Sequence, residues 1–195
     1  MTLKLNIIVT STRPGRIGPK IGKWMADFAK ENSDFDVELV DLADFDLPLL
    51  DEPKHPSMQD YQHDHTKRWS AVNAKADAFV FVSPEYNYFP AASTVNAIQT
   101  LHKEWHKKPV GLVGYGGVSG GLRAMQSAKI LMTTVSMMPL PQEVPIPFVF
   151  NFLGEDGAFG PADEVKQGAK AMLGELKVWA EALAETRKEQ VKKAA

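Results

Sequence analysis

Short apolar runs alternate with longer amphipathic segments along this chain. The apolar runs span residues 3–10, 37–42, 78–82 and 110–113, and β-branched residues are frequent in them. A fifth run lies within residues 139–150, where four prolines predict an irregular strand. Continuous apolar runs of this length are typical of strands buried on both faces of a sheet.

The segments between these runs predict helices. Apolar residues recur at helical spacing from about residue 19, and further helices are expected over 66–75, from Pro90 to before Lys107, and over 122–135. A long closing helix is expected from Asp163. Residues 43–65 are rich in Pro, Asp and His and predict a long surface loop.

The alternation of strands and helices predicts one α/β domain over residues 1–195. Buried strands that alternate with amphipathic helices form a parallel sheet covered by helices on both faces. The sequence contains no internal repeat, low-complexity tract or linker that would suggest a second domain.

Composition removes several classes of protein. The 195 residues carry a net charge of -2, which does not favour a nucleic-acid partner. Cysteine is absent, which excludes disulfides, thiolate metal sites and a Cys nucleophile. No apolar stretch approaches the ~20 residues that a membrane span needs. We therefore expect a soluble, cytoplasmic protein without nucleic-acid or membrane partners and without a metal site.

Three loops contain residue types that are suited to binding a ligand. Each follows a predicted strand directly, and they span residues 10–18, 83–90 and 114–121. In an open parallel sheet the carboxyl ends of the strands lie at one edge, which is where ligands bind. The three loops are therefore expected to converge on a single site.

The first loop is suited to an anion. It combines hydroxyl side chains and two arginines with the backbone N–H groups that precede a helix. It matches neither the dinucleotide-binding pattern G-x-G-x-x-G nor the P-loop pattern G-x-x-x-x-G-K-[ST]. A polar turn that only caps the helix is the alternative interpretation.

The other two loops are suited to a flat ring and to close backbone contact. Aromatic residues and an amide follow the third strand, although we expect Phe89 to pack against the core. Five glycines in eight residues follow the fourth strand, and glycine allows backbone to approach a ligand. Residues 117–121 also form a G-x-S-x-G pattern, but the last His, His106, precedes Ser119 and disfavours a serine hydrolase.

Taken together, the loops resemble those of the NAD(P)H-dependent FMN reductase family. The matching segments are STRPGRIG at residues 11–18, SPEYN at 83–87 and GYGGVSGGLRA at 114–124, and Asn96 and Ala97 also fit. The resemblance implies a flavodoxin-like three-layer fold with a five-stranded parallel sheet in the order 2-1-3-4-5. It implies bound FMN, NADPH or NADH as co-substrate, a small electron acceptor, and a homodimer or homotetramer.

The resemblance also implies the cofactor-binding residues and the absence of a catalytic side chain. The first loop would bind the FMN phosphate, and the other two would contact the ring and its ribityl chain. The predicted cofactor-binding residues are Ser11, Arg13, Arg16, Ile17, Gly18, Pro84, Glu85, Tyr86, Asn87, Gly116, Gly117, Ser119 and Gly121. An electron carrier of the flavodoxin type, or a flavin-binding sensor without its own NAD(P)H turnover, is the alternative function.

The chain departs from the family beside the expected ring. Relatives commonly follow the Asn with a small residue and then Pro-Gly, whereas this chain has Tyr88-Phe89-Pro90-Ala91. Thr94 stands where Lys is frequent in the family. These departures bear on which acceptors the protein accepts.

Overall fold

The computed structural model describes the backbone of residues 2–155 and 157–194, and side chains within those ranges up to residue 188. Strands and helices alternate as the sequence predicts, although the helix expected from Pro90 to before Lys107 ends at Gln99. In chain order they are β1 (Lys4–Val9), α1 (Gly18–Asn32), β2 (Asp36–Asp41), α2 (Asp64–Ala74), β3 (Ala78–Tyr86), β4 (Phe89–Pro90), α3 (Ala92–Gln99), β5 (Pro109–Tyr115), α4 (Leu122–Thr134), β6 (Met138–Ile146) and α5 (Asp163–Ala194).

Five strands form a parallel sheet in the order β2-β1-β3-β5-β6. This confirms the predicted flavodoxin-like order, counted over the parallel strands. The two-residue strand β4 was not predicted; it pairs antiparallel with the end of β3, where Tyr86 faces Phe89. The expectation that the third strand ends at residue 82 was therefore wrong, because parallel pairing with β5 extends it to Pro84 and the hairpin with β4 extends it to Tyr86.

The core consists of two layers because successive strand residues point to opposite faces of the sheet. Ile7 and Val80 belong to the layer that includes α1 and α5, whereas Ile8 and Phe81 belong to the layer on the other face. In the second layer the Trp105 ring lies 4.9 Å from that of Phe79. Among the described residues, no helix combines the length and apolar character needed to cross a membrane.

The long segment between β2 and α2 is held against the body of the protein. Asn96 on α3 donates from its side chain to Pro48 O at 2.7 Å. The buried Glu104 carboxylate accepts hydrogen bonds from Tyr61 at 3.1 Å and from Ser70 at 2.6 Å. The predicted surface loop is thus present, and side chains of distant elements fix its path.

Lys108 is a buried cation at the start of β5. Its Nζ donates to Asn73 O at 2.9 Å and to Ala74 O at 3.1 Å, which satisfies carbonyls at the end of α2. Burial among apolar groups disfavours the charged form and lowers the pKa of Lys108 to about 8.

This pKa predicts how stability changes in alkaline solution. Between about pH 8 and the ordinary lysine value of 10.5, the unfolded chain binds more protons at this position than the folded chain. The wild type should therefore gain stability over Lys108→Met as the pH rises through that interval. Urea unfolding at several pH values measures the difference. The exposed Lys75→Met is the matched control. A stability difference between wild type and Lys108→Met that does not change with pH would contradict the prediction.

Candidate active site

The three predicted loops meet at the carboxyl edge of the sheet. The Arg13 guanidinium of the first loop lies 5.9 Å from the centre of the Tyr86 ring of the second. Glu85 of the second loop accepts a hydrogen bond from Ser119 of the third at 2.6 Å. The convergence expected from the strand order is therefore present in the structure.

The first loop leads into an open helix N-terminus. Helix α1 begins without a side-chain cap, and Pro19 occupies its first turn. Ser11 Oγ and the Tyr115 hydroxyl are buried beside it, and neither has a hydrogen-bond partner among the described residues. A Cβ on Gly18 would lie 2.2 Å from Ser11 Oγ and 2.8 Å from the Tyr115 hydroxyl, so a larger residue there would displace these two hydroxyl groups.

The two arginines of the first loop have different surroundings. Arg16 donates to both carboxylate oxygens of Asp41 at 2.7 Å, and to Ser11 O at 2.8 Å. These contacts join the loop to the end of β2, and the hydrogen bond to Asp41 raises the pKa of Arg16. Arg13 is exposed, and its guanidinium lies over the face of Tyr86. Arg13 is thus the arginine that is available to an incoming anion.

The second loop is a tight hairpin between β3 and β4. Asn87 and Tyr88 form its two-residue turn, with φ of 50° and 70°. Positive φ at both positions is the geometry of a type I′ turn. The aromatic side chains of the hairpin point outward, and Phe89 is 56% exposed, so the expectation that Phe89 packs against the core was wrong.

Glu85 connects the second and third loops. Its carboxylate accepts from Ser119 Oγ at 2.6 Å and from the backbone N–H groups of Arg123 at 3.1 Å and Ala124 at 3.3 Å. It thereby caps α4, whose own cap position, Gly121, offers no side chain. Burial opposes ionisation, but the bonds from Ser119, Ala124 and Arg123 outweigh it and lower the pKa of Glu85.

The third loop combines a required backbone conformation with open space. Gly121 has φ of 87°, and a Cβ there would lie 2.5 Å from Tyr115 N. By contrast, a Cβ on Gly117 would meet no described atom within 4 Å. Hydrogen bonds from Ile146 N to Gly120 O and from Phe148 N to Gly117 O hold the loop. The backbone near Gly117 is therefore rigid and accessible.

Two parts of the site were not predicted. Buried hydroxyls link the ends of β1 and β3 to α3: Thr94 donates to Thr10 at 2.8 Å, and Ser83 Oγ lies 3.2 Å from Thr94. Tyr115 and Asp41 each end a strand at the same edge, and that position was the signal that could have identified them.

Two other chemistries find no support in the geometry. The Ser119 hydroxyl of the G-x-S-x-G pattern donates to Glu85, and the last His in the sequence still precedes it. Among the described residues, no three His, Asp or Glu side chains are placed to hold a metal ion.

Comparison with known sequences gives a consistent result. A family model described as NADPH-dependent FMN reductase matches residues 3–151. The chain is 34% identical over 190 residues to the NAD(P)H-dependent FMN reductase ntnL of Nectria sp. The aligned region covers 92% of this chain and 88% of that protein. It is 42% identical over 128 residues to the NAD(P)H-dependent FMN reductase C4B3.06c of Schizosaccharomyces pombe, covering 65% of this chain and 64% of that protein.

Solved structures support the same fold. FerB, a flavoenzyme NAD(P)H:(acceptor) oxidoreductase from Paracoccus denitrificans, superposes with a TM-score of 0.71 at 20% identity, covering 93% of this chain and 98% of its own. Flavodoxin from Megasphaera elsdenii superposes with a TM-score of 0.54 at 16% identity, covering 87% of this chain and 98% of its own. At these identities the likeness concerns the fold alone.

The Glu85 contacts predict an effect on stability. Glu85→Gln keeps the shape of the side chain but loses the charge and one of the two accepting oxygens. We expect a loss of about 1–2 kcal/mol near pH 7, because hydrogen bonds to charged groups and a carboxylate at a helix N-terminus are of this order. Urea unfolding measures the loss, and the exposed Glu38→Gln is the matched control.

The same pair of variants has a predicted pH dependence. Because the pKa of Glu85 is lowered in the folded protein, its stabilising effect is present above the ordinary value of 4.5 and is lost as the pH falls through the folded pKa. The difference between wild type and Glu85→Gln should therefore shrink in acid. A difference that stays constant from pH 7 to pH 3 would contradict the assigned role.

Proposed function

Because this chain belongs to the NADPH-dependent FMN reductase family, we propose that the edge formed by its three loops is the FMN site. The chain is an NAD(P)H-dependent oxidoreductase with FMN as its cofactor. When bound, FMN supplies the redox chemistry between NAD(P)H and a small acceptor. In the overall reaction NAD(P)H and one proton are consumed, NAD(P)+ is released, and the acceptor gains two electrons and two protons.

The contrast between two helix N-termini carries the assignment of the phosphate position. Helix N-termini attract anions, and both α1 and α4 begin at this edge. Glu85 already occupies the N-terminus of α4, whereas α1 has no side-chain cap. The unpartnered Ser11 hydroxyl and the exposed Arg13 lie beside α1. This donor set fits a phosphate monoester such as that of FMN.

The remaining predicted residues divide into those that would contact the cofactor and those that position it. Gly116 and Gly117 offer accessible backbone on one side, and Pro84, Tyr86 and Asn87 form the hairpin on the other. Other predicted residues hold the loops in place. Arg16 does so by its bonds to Asp41, and Glu85 by its bond from Ser119. Ile17, Gly18 and Gly121 contribute by their backbone conformation.

Within this arrangement the protein needs no nucleophile or general base of its own. Burial raises the pKa of Tyr115 to about 12, so its hydroxyl keeps its proton and can act as a donor near α1. The exposed faces of the hairpin leave room for a second planar substrate at the edge. The chain's part is to bind the phosphate, orient the ring and keep one side accessible.

An apolar groove on the surface supports the proposal that the protein self-associates. The groove, of about 380 Å³, lies between α3 and α4, and none of its lining side chains is charged. Ile130 is 72% exposed and Phe89 is 56% exposed there. Surfaces of this kind are typical of contacts between subunits. The groove is therefore the proposed contact of a homodimer, with a homotetramer as the larger alternative.

Two further assignments complete the proposal. The whole chain, residues 1–195, acts as a single FMN-binding domain, because both core layers pack on one sheet. A cytoplasmic location is supported by the NAD(P)H requirement, since this co-substrate is found inside cells.

Reduction by nicotinamide nucleotides tests the main proposal. The protein is mixed with one equivalent of FMN, and the flavin spectrum is followed anaerobically after addition of NADPH and then NADH. We expect a perturbed spectrum that bleaches within seconds. Binding without bleaching would favour the electron-carrier alternative, and no binding would overturn the assignment of the site.

Comparison of FMN with riboflavin tests the phosphate position. Loss of a charge-assisted contact should weaken FMN binding to Arg13→Gln about tenfold, while riboflavin binding is unchanged. Arg16→Gln should instead lower the unfolding free energy, because it breaks the pair with Asp41. Flavin fluorescence titration and urea unfolding of both variants measure the two effects. Equal weakening of both flavins by Arg13→Gln would argue against a phosphate contact.

The groove predicts a variant that no longer self-associates. Ile130→Glu places a charge in the apolar groove and should convert the protein to monomers while its circular dichroism stays unchanged. Val178→Glu is the matched control, since Val178 is 61% exposed on α5, on the opposite face of the sheet. Sedimentation velocity distinguishes the species, and an unchanged oligomer for Ile130→Glu would place the contact elsewhere.

A further inference from the structure

The hairpin of the proposed site contains a residue in an unfavourable conformation. Tyr88, the second residue of the turn, has φ of 70°. Glycine, asparagine and aspartate tolerate positive φ, and an aromatic residue rarely adopts it. A side chain kept in such a position points to a use for that side chain at the site.

The ring of Tyr88 is held in place by one cation. The Arg123 guanidinium lies 4.2 Å from the centre of the ring, which is a close cation–π contact. Arg123 is in turn held by Glu85, whose Oε1 lies 3.5 Å from its Nη1. The Tyr88 ring therefore has a defined orientation, although the residue is 66% exposed.

Exposed apolar side chains and the Arg123 guanidinium lie in the same segments beside this pair. The Arg123 side chain is 48% exposed, whereas that of Glu85 is only 7% exposed, so the cation and not the carboxylate faces solvent. Val118 and Leu122 are also exposed, at 71% and 43%, on the segment that leads into Arg123. Phe148, 54% exposed, is bonded through its backbone N–H to Gly117 beside them.

We propose that Tyr88 and Arg123 recognise the electron acceptor, and that the preferred acceptor is a planar aromatic compound with an anionic substituent, such as a sulfonated or carboxylated quinone. The aromatic part stacks on Tyr88 or its apolar neighbours, and the anion pairs with Arg123. This inference rests on the proposed function, because it needs the flavin site beside the hairpin. Tyr88 and Arg123 are specificity-determining residues that take no part in electron transfer.

Two naphthoquinones that differ in charge provide the test. For wild type, Tyr88→Gly and Arg123→Gln, kcat/KM is measured at saturating NADPH with 1,4-naphthoquinone-2-sulfonate and with neutral 2-methyl-1,4-naphthoquinone. Exposed ion pairs and aromatic stacking each correspond to factors of roughly two to ten. Arg123→Gln should lower the value for the sulfonate about fivefold and leave the neutral quinone within twofold. Tyr88→Gly should raise KM for both quinones about fivefold. Because glycine tolerates the positive φ of this turn, the hairpin should keep its fold in that variant.

Direct binding separates this inference from the proposed function. The dissociation constant of 1,4-naphthoquinone-2-sulfonate is measured by calorimetry on the FMN-treated protein without NADPH, so the result does not depend on turnover. The exposed Lys75→Gln is the charge-matched control and should bind like the wild type. Bleaching of FMN by NADPH is compared between the wild type and Lys75→Gln, where it should be equal, and its loss in the wild type would count against the proposed function alone.

Two results would overturn the inference. One is an Arg123→Gln variant that binds 1,4-naphthoquinone-2-sulfonate as tightly as the wild type and shows the same ratio of kcat/KM between the two quinones. The other is dissociation of the oligomer in Tyr88→Gly by sedimentation velocity, which would place the Tyr88 ring itself in the contact between subunits.

Discussion

The parallel alignment of the five long strands is the constraint on which the rest of this structure depends. In a parallel sheet every segment that follows a strand emerges at the same edge. Here that edge collects an open helix N-terminus, an aromatic hairpin and a glycine loop. The helices on both faces bury the sheet in two apolar layers, so the polar groups that follow the strands are collected at this edge.

Charged residues at the edge are mostly engaged in holding the loops. Arg16 is paired with Asp41, and Glu85 accepts from Ser119 and from the first turn of α4. The bonds of Arg16 to Asp41 and of Ser119 to Glu85 are partly buried, where charge-assisted hydrogen bonds are stronger than at an exposed surface. They leave Arg13 and the N-terminus of α1 accessible. The site therefore separates residues that keep the loops in register from residues that are open to a ligand.

The hairpin shows how a small change in sequence can alter a site without altering the fold. A tyrosine in the turn keeps the pairing of β3 with β4, since the backbone adopts the left-handed conformation despite the side chain. The cost is local strain, and the result is an exposed ring beside a cation. Family membership identifies the chemistry of this protein, and the outward-facing side chains of the hairpin are where we propose that its selectivity resides.

The sequence by itself determined the class of fold, the order and approximate position of the long elements, and the three loops that meet at the edge. These properties follow from hydrophobic periodicity and from glycine, proline and arginine in short local patterns, which a sequence displays directly. Only the tertiary structure decided what those side chains face. Arg16 meets Asp41 across 25 positions, and Glu85 meets Ser119 across 34, and no local pattern encodes such pairs. The same holds for the burial of Tyr115 beside Gly18 and for the short strand β4, because both depend on how separate elements pack together.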